Sequence, residues 1–235
     1  MLYAILRSVA SLALRWYYRG IEVLGLERFP AHGPAILVAN HWNALVDALI
    51  IGTAVRRPVR LTAKATLLEH PVTRLLVRAL GIIPLRRASD ETHGDVPVDH
   101  SRNANAFTAV LDALEHGEVV LIFPEGRSHS EPSLAPLKSG AARLALMARS
   151  ERGLADIPII PIGLTFEHKE RPRSRVMMHV GPPITADSPL RIPAGLSTPP
   201  QTSGANPSAQ VQALTAQIDD ALRQLTLNFP TPEDA

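Results

Sequence analysis

The sequence predicts an α/β fold in which helices flank a mostly parallel central sheet. Two apolar runs, Ala35–Ala39 and Val119–Phe123, have the length and continuity of strands that are buried on both faces. Segments with helical periodicity alternate with these and other strand candidates, which favours parallel pairing through crossover helices. A chain of 235 residues, 46% of them apolar, is long enough to bury such a core.

Apolar periodicity and turn residues predict the elements of the first half of the chain. A helix over 2–18 precedes a strand at 21–26, which ends before a turn that contains Pro30, Gly33 and Pro34. We then expect strands at 35–40, 59–63 and 82–85, and helices near 44–55 and 71–80.

The second half repeats the alternation of helices and strands. The polar stretch 88–100 is expected to be a loop before an amphipathic helix over 101–116, which Gly117 ends. The β-branched run at 119–123 is the predicted central strand. The remaining elements are a helix at 138–149, strands at 159–164 and 176–180, and a final helix at 208–226.

Four regions follow from these elements. Residues 1–20 form the N-terminal amphipathic helix, and residues 21–185 form the main domain. A stretch rich in Pro, Ser and Gly, 186–207, is expected to be flexible, and 208–235 hold the C-terminal helix and tail.

The N-terminal helix has a narrow polar stripe of Arg7, Ser11, Arg15 and Arg19, and its opposite face is apolar. The apolar face comprises Leu2, Ile5, Leu6, Val9, Leu12, Ala13 and Trp16. We expect the helix to lie in a membrane interface with its arginines extended to the headgroups, the alternative being a helix packed on the core. Its uncharged runs are shorter than the roughly 20 residues that a bilayer span requires.

Composition removes several kinds of site and partner. The chain has no cysteine, which excludes disulfides, thiolate nucleophiles and thiolate-held metals. A formal charge of +2, with three Tyr, five Phe and two Trp for stacking, argues against nucleic-acid binding.

The turn after the strand at 35–40 is the first candidate for chemistry. It contains Asn40 and His41, and Asp47 follows at the start of the next helix. Imidazole exchanges protons near neutral pH, and catalytic groups are frequent on such turns. Six positions on one helix rotate by about 600°, so His41 and Asp47 meet only if His41 precedes the helix and the chain bends back. With Asn43 as N-cap, Asp47 would then fix the imidazole tautomer; the alternative is a capping His beside an ordinary first-turn acid.

Further polar segments follow other strand candidates. After Phe123, Gly126 permits a turn that presents N–H groups, while Arg127 and Ser128 supply donors for an anion. Arg87 follows the strand at 82–85, and Lys138 begins the helix after the Gly126 turn. Ligands gather at the carboxyl ends of parallel strands, where His41 and the residues after Phe123 are expected.

These segments, in this order, resemble the glycerolipid acyltransferase family, which acylates glycerol 3-phosphate, lysophosphatidate and related acceptors. The matching blocks are Asn40-His41 with Asp47; Gly81, Ile83 and Arg87; Pro124 to Ser128 with Lys138 and Gly140; and the strand Ile159 to Gly163. The resemblance spans residues 21–183. Five residues rather than four separate His41 from Asp47, and the third block is one residue short. The wider spacing, with Arg173-Ser174-Arg175, resembles a subgroup that acts on glycerol 3-phosphate or dihydroxyacetone phosphate.

The resemblance implies an O-acyltransferase of phospholipid biosynthesis. It would move a fatty acyl group from acyl-CoA or acyl-carrier protein to a hydroxyl of lysophosphatidate or glycerol 3-phosphate, with His41 as general base and Asp47 orienting it. The residues implied in binding the acceptor's phosphate are Arg87, Glu125, Gly126, Arg127, Ser128 and Lys138. No metal or resident cofactor is expected. The implied location is a membrane surface, on the cytoplasmic face of the cell membrane.

Other function classes compete with this interpretation. A serine hydrolase would need a Gly-x-Ser-x-Gly elbow, which the sequence lacks. A metal-dependent hydrolase could use His41, Asp47, Glu125 and His129, but the sequence has no His-x-x-x-His motif. Acylation of another lyso-lipid or an amino-lipid, and a non-enzymatic membrane- or lipid-binding protein, are the open alternatives.

Overall fold

The structure, a computed structural model, describes residues 2–64, 74, 77, 81–85, 100–131, 133–185 and 206–228. Its strands are β1 (Gly20–Leu24), β2 (Ala35–Ala39), β3 (Val59–Lys64), β4 (Ile83–Leu85), β5 (Val119–Ile122), β6 (Ile159–Phe166) and β7 (Arg175–Val180). Its helices are α1 (Leu2–Tyr17), α2 (Leu45–Ala54), α3 (His100–Glu115), α4 (Gly140–Arg152) and α5 (Pro207–Leu225). A short 3₁₀ turn, Leu26–Arg28, follows β1.

The described strands form one seven-stranded sheet in the order β1-β7-β6-β2-β5-β3-β4. Neighbouring strands are parallel everywhere except between β6 and β7, which are antiparallel. The prediction of an α/β fold with a mostly parallel sheet is therefore confirmed. Because β2 and β5 are adjacent and parallel, the turns that follow them lie side by side at one edge of the sheet.

Strand β2 is buried on both faces and carries no exposed residue. Ile36 and Val38 contribute to one apolar cluster with α3, α4 and α5. Leu37 and Ala39 contribute to a second cluster, on the other face of the sheet, with α1 and α2. Burial of each large apolar side chain stabilises the fold by about 1.5–3 kcal/mol, so the strand that leads to His41 is firmly held.

Helix α5 closes the first of these faces against β6. Leu214, Ile218 and Leu222 are buried there. A Cβ atom at Gly163 would lie 2.2 Å from the main-chain oxygen of Leu225, so only glycine lets helix and strand approach this closely.

Helix α1 packs on the opposite face through buried Leu14, and Tyr18, just past the end of the helix, is buried there as well. Arg7, expected to extend toward lipid headgroups, instead donates to the carbonyls of Thr53 (3.1 Å) and Val55 (2.6 Å) at the C-terminal end of α2. A cation is favourable there because the last carbonyls of a helix lack partners and carry partial negative charge.

The outward face of α1 is apolar and open to solvent. Its exposed side chains are Ile5, Val9, Leu12 and Trp16, with 53% to 77% of their surface accessible. Leu45, at the first position of α2, is also exposed. Among the described helices, none is both long and apolar enough to cross a membrane.

Most predicted bounds shift by a few residues, and one local prediction is wrong. Helix α2 begins at Leu45 after Ala44, which has φ of +46°, so Asn43 is not its N-cap. The predicted helix at 71–80 and loop at 88–100 lie almost entirely outside the described residues, as does the predicted flexible segment through residue 205.

Candidate active site

His41 lies in the turn between β2 and α2, and Asp47 lies in the first turn of α2. The chain bends back at Ala44, and the His41 Nδ1 atom lies 3.0 Å from Asp47 Oδ2. The same carboxylate oxygen accepts the Asn43 N–H at 2.7 Å. The expectation that His41 precedes the helix and meets Asp47 through a bend in the chain is confirmed.

Asp47 is fully buried, and this affects its protonation. Burial raises the pKa of the Asp47 carboxyl above its ordinary value, while the hydrogen bonds from His41 and Asn43 oppose that rise. Its second oxygen, Oδ1, has no hydrogen-bond partner among the described residues. An ionised Asp47 requires the proton of neutral His41 to reside on Nδ1, which leaves Nε2 as an acceptor.

The His41 ring is held from a second direction by Phe123, just past the end of β5. The two rings are stacked, with centroids 3.9 Å apart and an angle of 16° between their planes. The His41 side chain retains 13% of its surface exposed, and within the described part of the chain Nε2 has no partner. Nε2 is therefore available to accept a proton from a molecule that reaches the exposed edge of the ring.

The loop after β5 is hydrogen-bonded to main-chain groups of the His41 turn. Glu125 Oε1 accepts the N–H of His41 at 2.7 Å, and the N–H of His129 donates to the His41 carbonyl at 3.1 Å. The Ser128 hydroxyl accepts the N–H of Ala44 at 3.1 Å. These three bonds join neighbouring strand ends, so the position of His41 depends on the loop as much as on β2.

Asn40 extends the pairing of β2 and β6 with its side chain. Its amide donates to the Leu164 carbonyl at 2.9 Å and accepts the Leu164 N–H at 2.7 Å. Asn40 is fully buried, so both bonds are needed to satisfy the amide. The residue before His41 is thus fixed to a central strand.

The outer side of the turn is fixed by α1 and by the connection between β6 and β7. The Asn43 amide donates to the Tyr18 hydroxyl (3.3 Å) and to the Lys169 carbonyl (3.2 Å). Burial raises the pKa of the Tyr18 hydroxyl to about 12, with smaller contributions from Tyr17 and Asp47, so Tyr18 stays neutral. The Lys169 ammonium contacts the Ser130 hydroxyl and lies 3.4 Å from the Trp42 carbonyl.

Among the described residues, those expected to bind an anion all lie between β5 and α4. Gly126 has φ of +73°, and a Cβ atom there would lie 2.9 Å from Cδ, Cε and Nζ of Lys138, so the lysine side chain crosses the glycine. Arg127 is exposed and pairs with Glu131 at 2.6 Å. Arg87 lies outside the described residues.

The main-chain N–H groups of this loop are also potential donors. The Gly126 N–H donates to the Phe123 carbonyl at 3.0 Å. The N–H groups of Arg127 and Ser128 have no hydrogen-bond partner within the described ranges. No group of three or more His, Cys, Asp or Glu side chains in the described part of the chain is arranged to hold a metal ion.

Sequence reasoning did not assign roles to several of these residues. Phe123 was expected only as the end of a strand, and no contact of Tyr18 or Lys169 with the His41 turn was predicted. His129 was grouped with His41, Asp47 and Glu125 only in the metal-hydrolase alternative, and it also lies two residues after Arg127 on the anion-binding loop. Glu125, expected to contact a phosphate, has no exposed side-chain surface, and both of its oxygens bond to groups of the protein.

Similar proteins carry acyltransferase names. An uncharacterized acyltransferase of Schizosaccharomyces pombe is 24% identical, over 96% of this chain and 44% of its own length. Glycerol-3-phosphate O-acyltransferase 2 of Saccharomyces cerevisiae is 33% identical, over 54% of this chain and 16% of its own length. The mouse 1-acyl-sn-glycerol-3-phosphate acyltransferase alpha is 28% identical, over 81% of this chain and 64% of its own length. The chain thus spans less than half the length of the first two of these relatives.

The fold also has a solved counterpart. The crystal structure of the 1-acyl-sn-glycerophosphate (LPA) acyltransferase PlsC from Thermotoga maritima superposes with a TM-score of 0.65 and covers 94% of this chain and 77% of that chain. Its sequence identity is 17%, so this likeness concerns the fold. The family model described as Acyltransferase matches residues 20–165, which is more than half of the 235 residues and includes His41, Asp47 and the loop after β5, so the chain belongs to the acyltransferase family.

Proposed function

We propose that this protein transfers a fatty acyl group from acyl-CoA or acyl-carrier protein to a hydroxyl of glycerol 3-phosphate or lysophosphatidate, in phospholipid biosynthesis. The observation that carries the proposal is the His41 ring, bonded to buried Asp47 through Nδ1 and open at Nε2. Membership of the acyltransferase family and the names of its relatives support the reaction type.

The reaction needs a base because the pKa of an alcohol lies far above 7. His41 Nε2 removes the hydroxyl proton as the acceptor oxygen attacks the thioester carbonyl carbon. The carbonyl becomes a tetrahedral oxyanion, and we assign its stabilisation to the N–H groups of Arg127 and Ser128, which have no partner among the described residues. The carbon–sulfur bond then breaks, and the acyl group remains on the acceptor as an ester. The thiolate leaves and is protonated by the imidazolium.

Asp47 stabilises the imidazolium while the proton resides on His41. Both ring nitrogens are then donors, and Nδ1–H points at the Asp47 carboxylate 3.0 Å away. General-base help of this kind typically accelerates a reaction by roughly 10²–10⁴-fold.

The acceptor's phosphate is assigned to the loop after β5. Lys138, Arg127 and the Ser128 hydroxyl supply cationic and hydroxyl donors there, and the crossing of Gly126 by Lys138 brings the ammonium over the turn. Arg87 is proposed for the same task from its place in the second block of the family pattern. A phosphate held there would fix which hydroxyl faces His41.

Association with a membrane surface is proposed from the exposed apolar face of α1. The face ends at Trp16, two residues before Tyr18, whose hydroxyl contacts Asn43 in the His41 turn. Leu45, which follows that turn, is exposed as well. A bilayer against this surface would place lipid substrates next to the His41 turn. We assign the cytoplasmic face because acyl-CoA and acyl-carrier protein are cytosolic donors.

The test is an acceptor panel. Purified protein receives one acyl-CoA and, separately, glycerol 3-phosphate, lysophosphatidate, other lyso-lipids or an amino-lipid, while thiol release and the acylated product are followed together. We expect equal amounts of thiol and acylated glycerol phosphate. Thiol release without acylated product would indicate a hydrolase, and no turnover of any acceptor with either donor would contradict the proposal.

A further inference from the structure

A second histidine, His129, lies next to the His41 turn and is itself paired with a carboxylate. Only 4% of its side-chain surface is exposed, and its Nε2 contacts Glu125 Oε2. The Glu125 side chain is fully buried and also accepts the N–H groups of His41 (2.7 Å) and Ala135 (2.9 Å). A fully buried carboxylate needs such donors to remain ionised.

The contacts fix where the His129 proton resides. The N–H of Glu131 donates to His129 Nδ1 at 3.1 Å, so Nδ1 must be an acceptor. The proton therefore resides on Nε2 and points at Glu125, and a second proton on Nδ1 would set two donors against each other. His129 thus has no free nitrogen for a substrate, in contrast to His41.

Glu125 and His129 together hold both main-chain groups of His41. Glu125 accepts its N–H, and the main-chain N–H of His129 donates to its carbonyl at 3.1 Å. The imidazole of His129 completes a closed ring of hydrogen bonds, because it bonds to the same Glu125 carboxylate. The orientation of His41 is therefore coupled to a buried, neutral imidazole four residues after Glu125.

We infer that His129 is a positioning residue for acyl transfer: held neutral with its proton on Nε2, it fixes Glu125 and thereby the His41 main chain. Glu125 then acts inside the protein rather than on the acceptor's phosphate. The inference rests on the proposed function, since it assigns a role to His129 in placing the proposed base.

The test compares two amides that each replace one half of the imidazole. His129→Gln retains an N–H donor near the position of Nε2, whereas His129→Asn retains an acceptor near Nδ1 and loses the donor to Glu125. His32→Asn, on the exposed turn before β2, controls for loss of an imidazole elsewhere. All four proteins are compared at equal folded concentration, checked by circular dichroism, with the acceptor that the parent uses.

We expect His129→Asn to lower kcat by about 10–100-fold, because small displacements of a reacting group have effects of that size. The KM values for donor and acceptor should stay within about threefold, and the pH at which the acid side of the rate profile falls should not move. His129→Gln should recover most of the lost rate, and His32→Asn should match the parent. Parental kcat in His129→Asn would reduce His129 to a folding role and overturn the inference. Equal loss in both amides, with a flattened pH profile, would indicate proton transfer by His129 and would also overturn it.

A spectroscopic measurement on the parent protein keeps the inference testable if a variant fails to fold or if no acceptor turns over. At pH 8, nitrogen-15 NMR of histidine-labelled protein should show His129 as the Nε2–H tautomer and His41 as the Nδ1–H tautomer. A protonated or Nδ1–H His129 would overturn the inference. Failure of the acceptor panel with the expected tautomers would instead count against the proposed function alone.

Discussion

Two imidazole–carboxylate pairs lie within this site, and they differ in which ring nitrogen the carboxylate holds. His41 meets Asp47 through Nδ1 and leaves Nε2 open, whereas His129 meets Glu125 through Nε2 and accepts the Glu131 N–H at Nδ1. The side chain of His41 is 13% exposed and that of His129 only 4%. The same pair of functional groups therefore supplies a free base in one place and a closed internal support in the other.

The difference shows that a histidine beside an acid is not by itself evidence of catalysis. What decides the chemistry is the nitrogen left over after the protein's own contacts are satisfied. At His41 the main chain is held by the loop and the ring by Asp47 and Phe123, so every contact except that of Nε2 is internal. At His129 both ring nitrogens bond to groups of the protein, so neither is left for a substrate.

Replacement of Asp47 should have the largest effect on the open pair. Asp47→Asn removes the negative charge that fixes the His41 tautomer and stabilises the imidazolium. We expect kcat to fall on the order of 10²–10⁴-fold with little change in KM. Steady-state thiol release checks this, and circular dichroism tests whether the variant is folded. A folded variant with the kcat of the parent would show that the His41–Asp47 pair, like the His129–Glu125 pair, serves only as internal support.

The pH dependence of the free energy of unfolding tests how burial affects the ionisation of Asp47. Burial raises the folded-state pKa of Asp47 above its unfolded value, so the folded protein holds this proton more tightly. Its contribution to stability is then fully present below the unfolded pKa and is lost as pH rises through the folded pKa. Activity needs ionised Asp47 and neutral His41, so the rate should rise over the range in which this contribution declines.

Urea unfolding of the parent and of Asp47→Asn measures that contribution. The parent's stability relative to the variant should be lower at pH 8 than at pH 5. A relative stability that instead grows with pH would mean that Asp47 is favoured in its ionised form by folding. The expected sign for burial would then be wrong.

The anion-binding loop can be tested at Gly126. Gly126→Ala places a side chain at φ of +73° and in conflict with Lys138, so it should cost about 1–2 kcal/mol of stability and raise the KM for the phosphate acceptor severalfold. Gly33→Ala is the matched control, because its φ is +77° but nothing lies within 4 Å of the added Cβ. Both should lose stability in urea, and only Gly126→Ala should alter the KM. An equal KM in the two variants would remove Lys138 from phosphate binding.

The smallest effect on kcat is expected from the outer face of α1. Leu12→Ser with Trp16→Ser removes exposed apolar surface without touching the core. Flotation with anionic vesicles should show weaker binding, while the rate with a water-soluble acceptor should stay within about twofold. Ala4→Ser, exposed on the same helix but outside the apolar face, serves as the control. Unchanged flotation of the double variant would contradict the membrane-surface proposal.

The parts that local sequence pattern determines were predictable. The apolar run of β2 predicted a buried strand, and the need for a bend between His41 and Asp47 followed from helix geometry alone. The prediction of Asn43 as N-cap is wrong for a local reason. The Asn43 main-chain N–H donates to Asp47, and the helix begins one residue later, after Ala44, whose φ is +46°.

The support beneath His41 was not predictable in the same way. Contacts of Glu125 and His129 with the turn depend on β2 lying next to β5, which sequence spacing does not specify. The polar stripe of α1 predicted that Arg7 extends to the lipid headgroups, yet its side chain donates to the carbonyls at the end of α2. Both cases depend on tertiary packing, which overrides the pattern of one segment.

The most direct test of the central claim is the rate of acyl transfer by His41→Asn at saturating donor and acceptor. The asparagine amide lies near the position of Nδ1 and can still bond to Asp47, but it cannot accept and return a proton, so folding and both KM values should be retained. We predict a fall in kcat of at least about 10²-fold. A rate within about threefold of the parent would show that His41 is not the base.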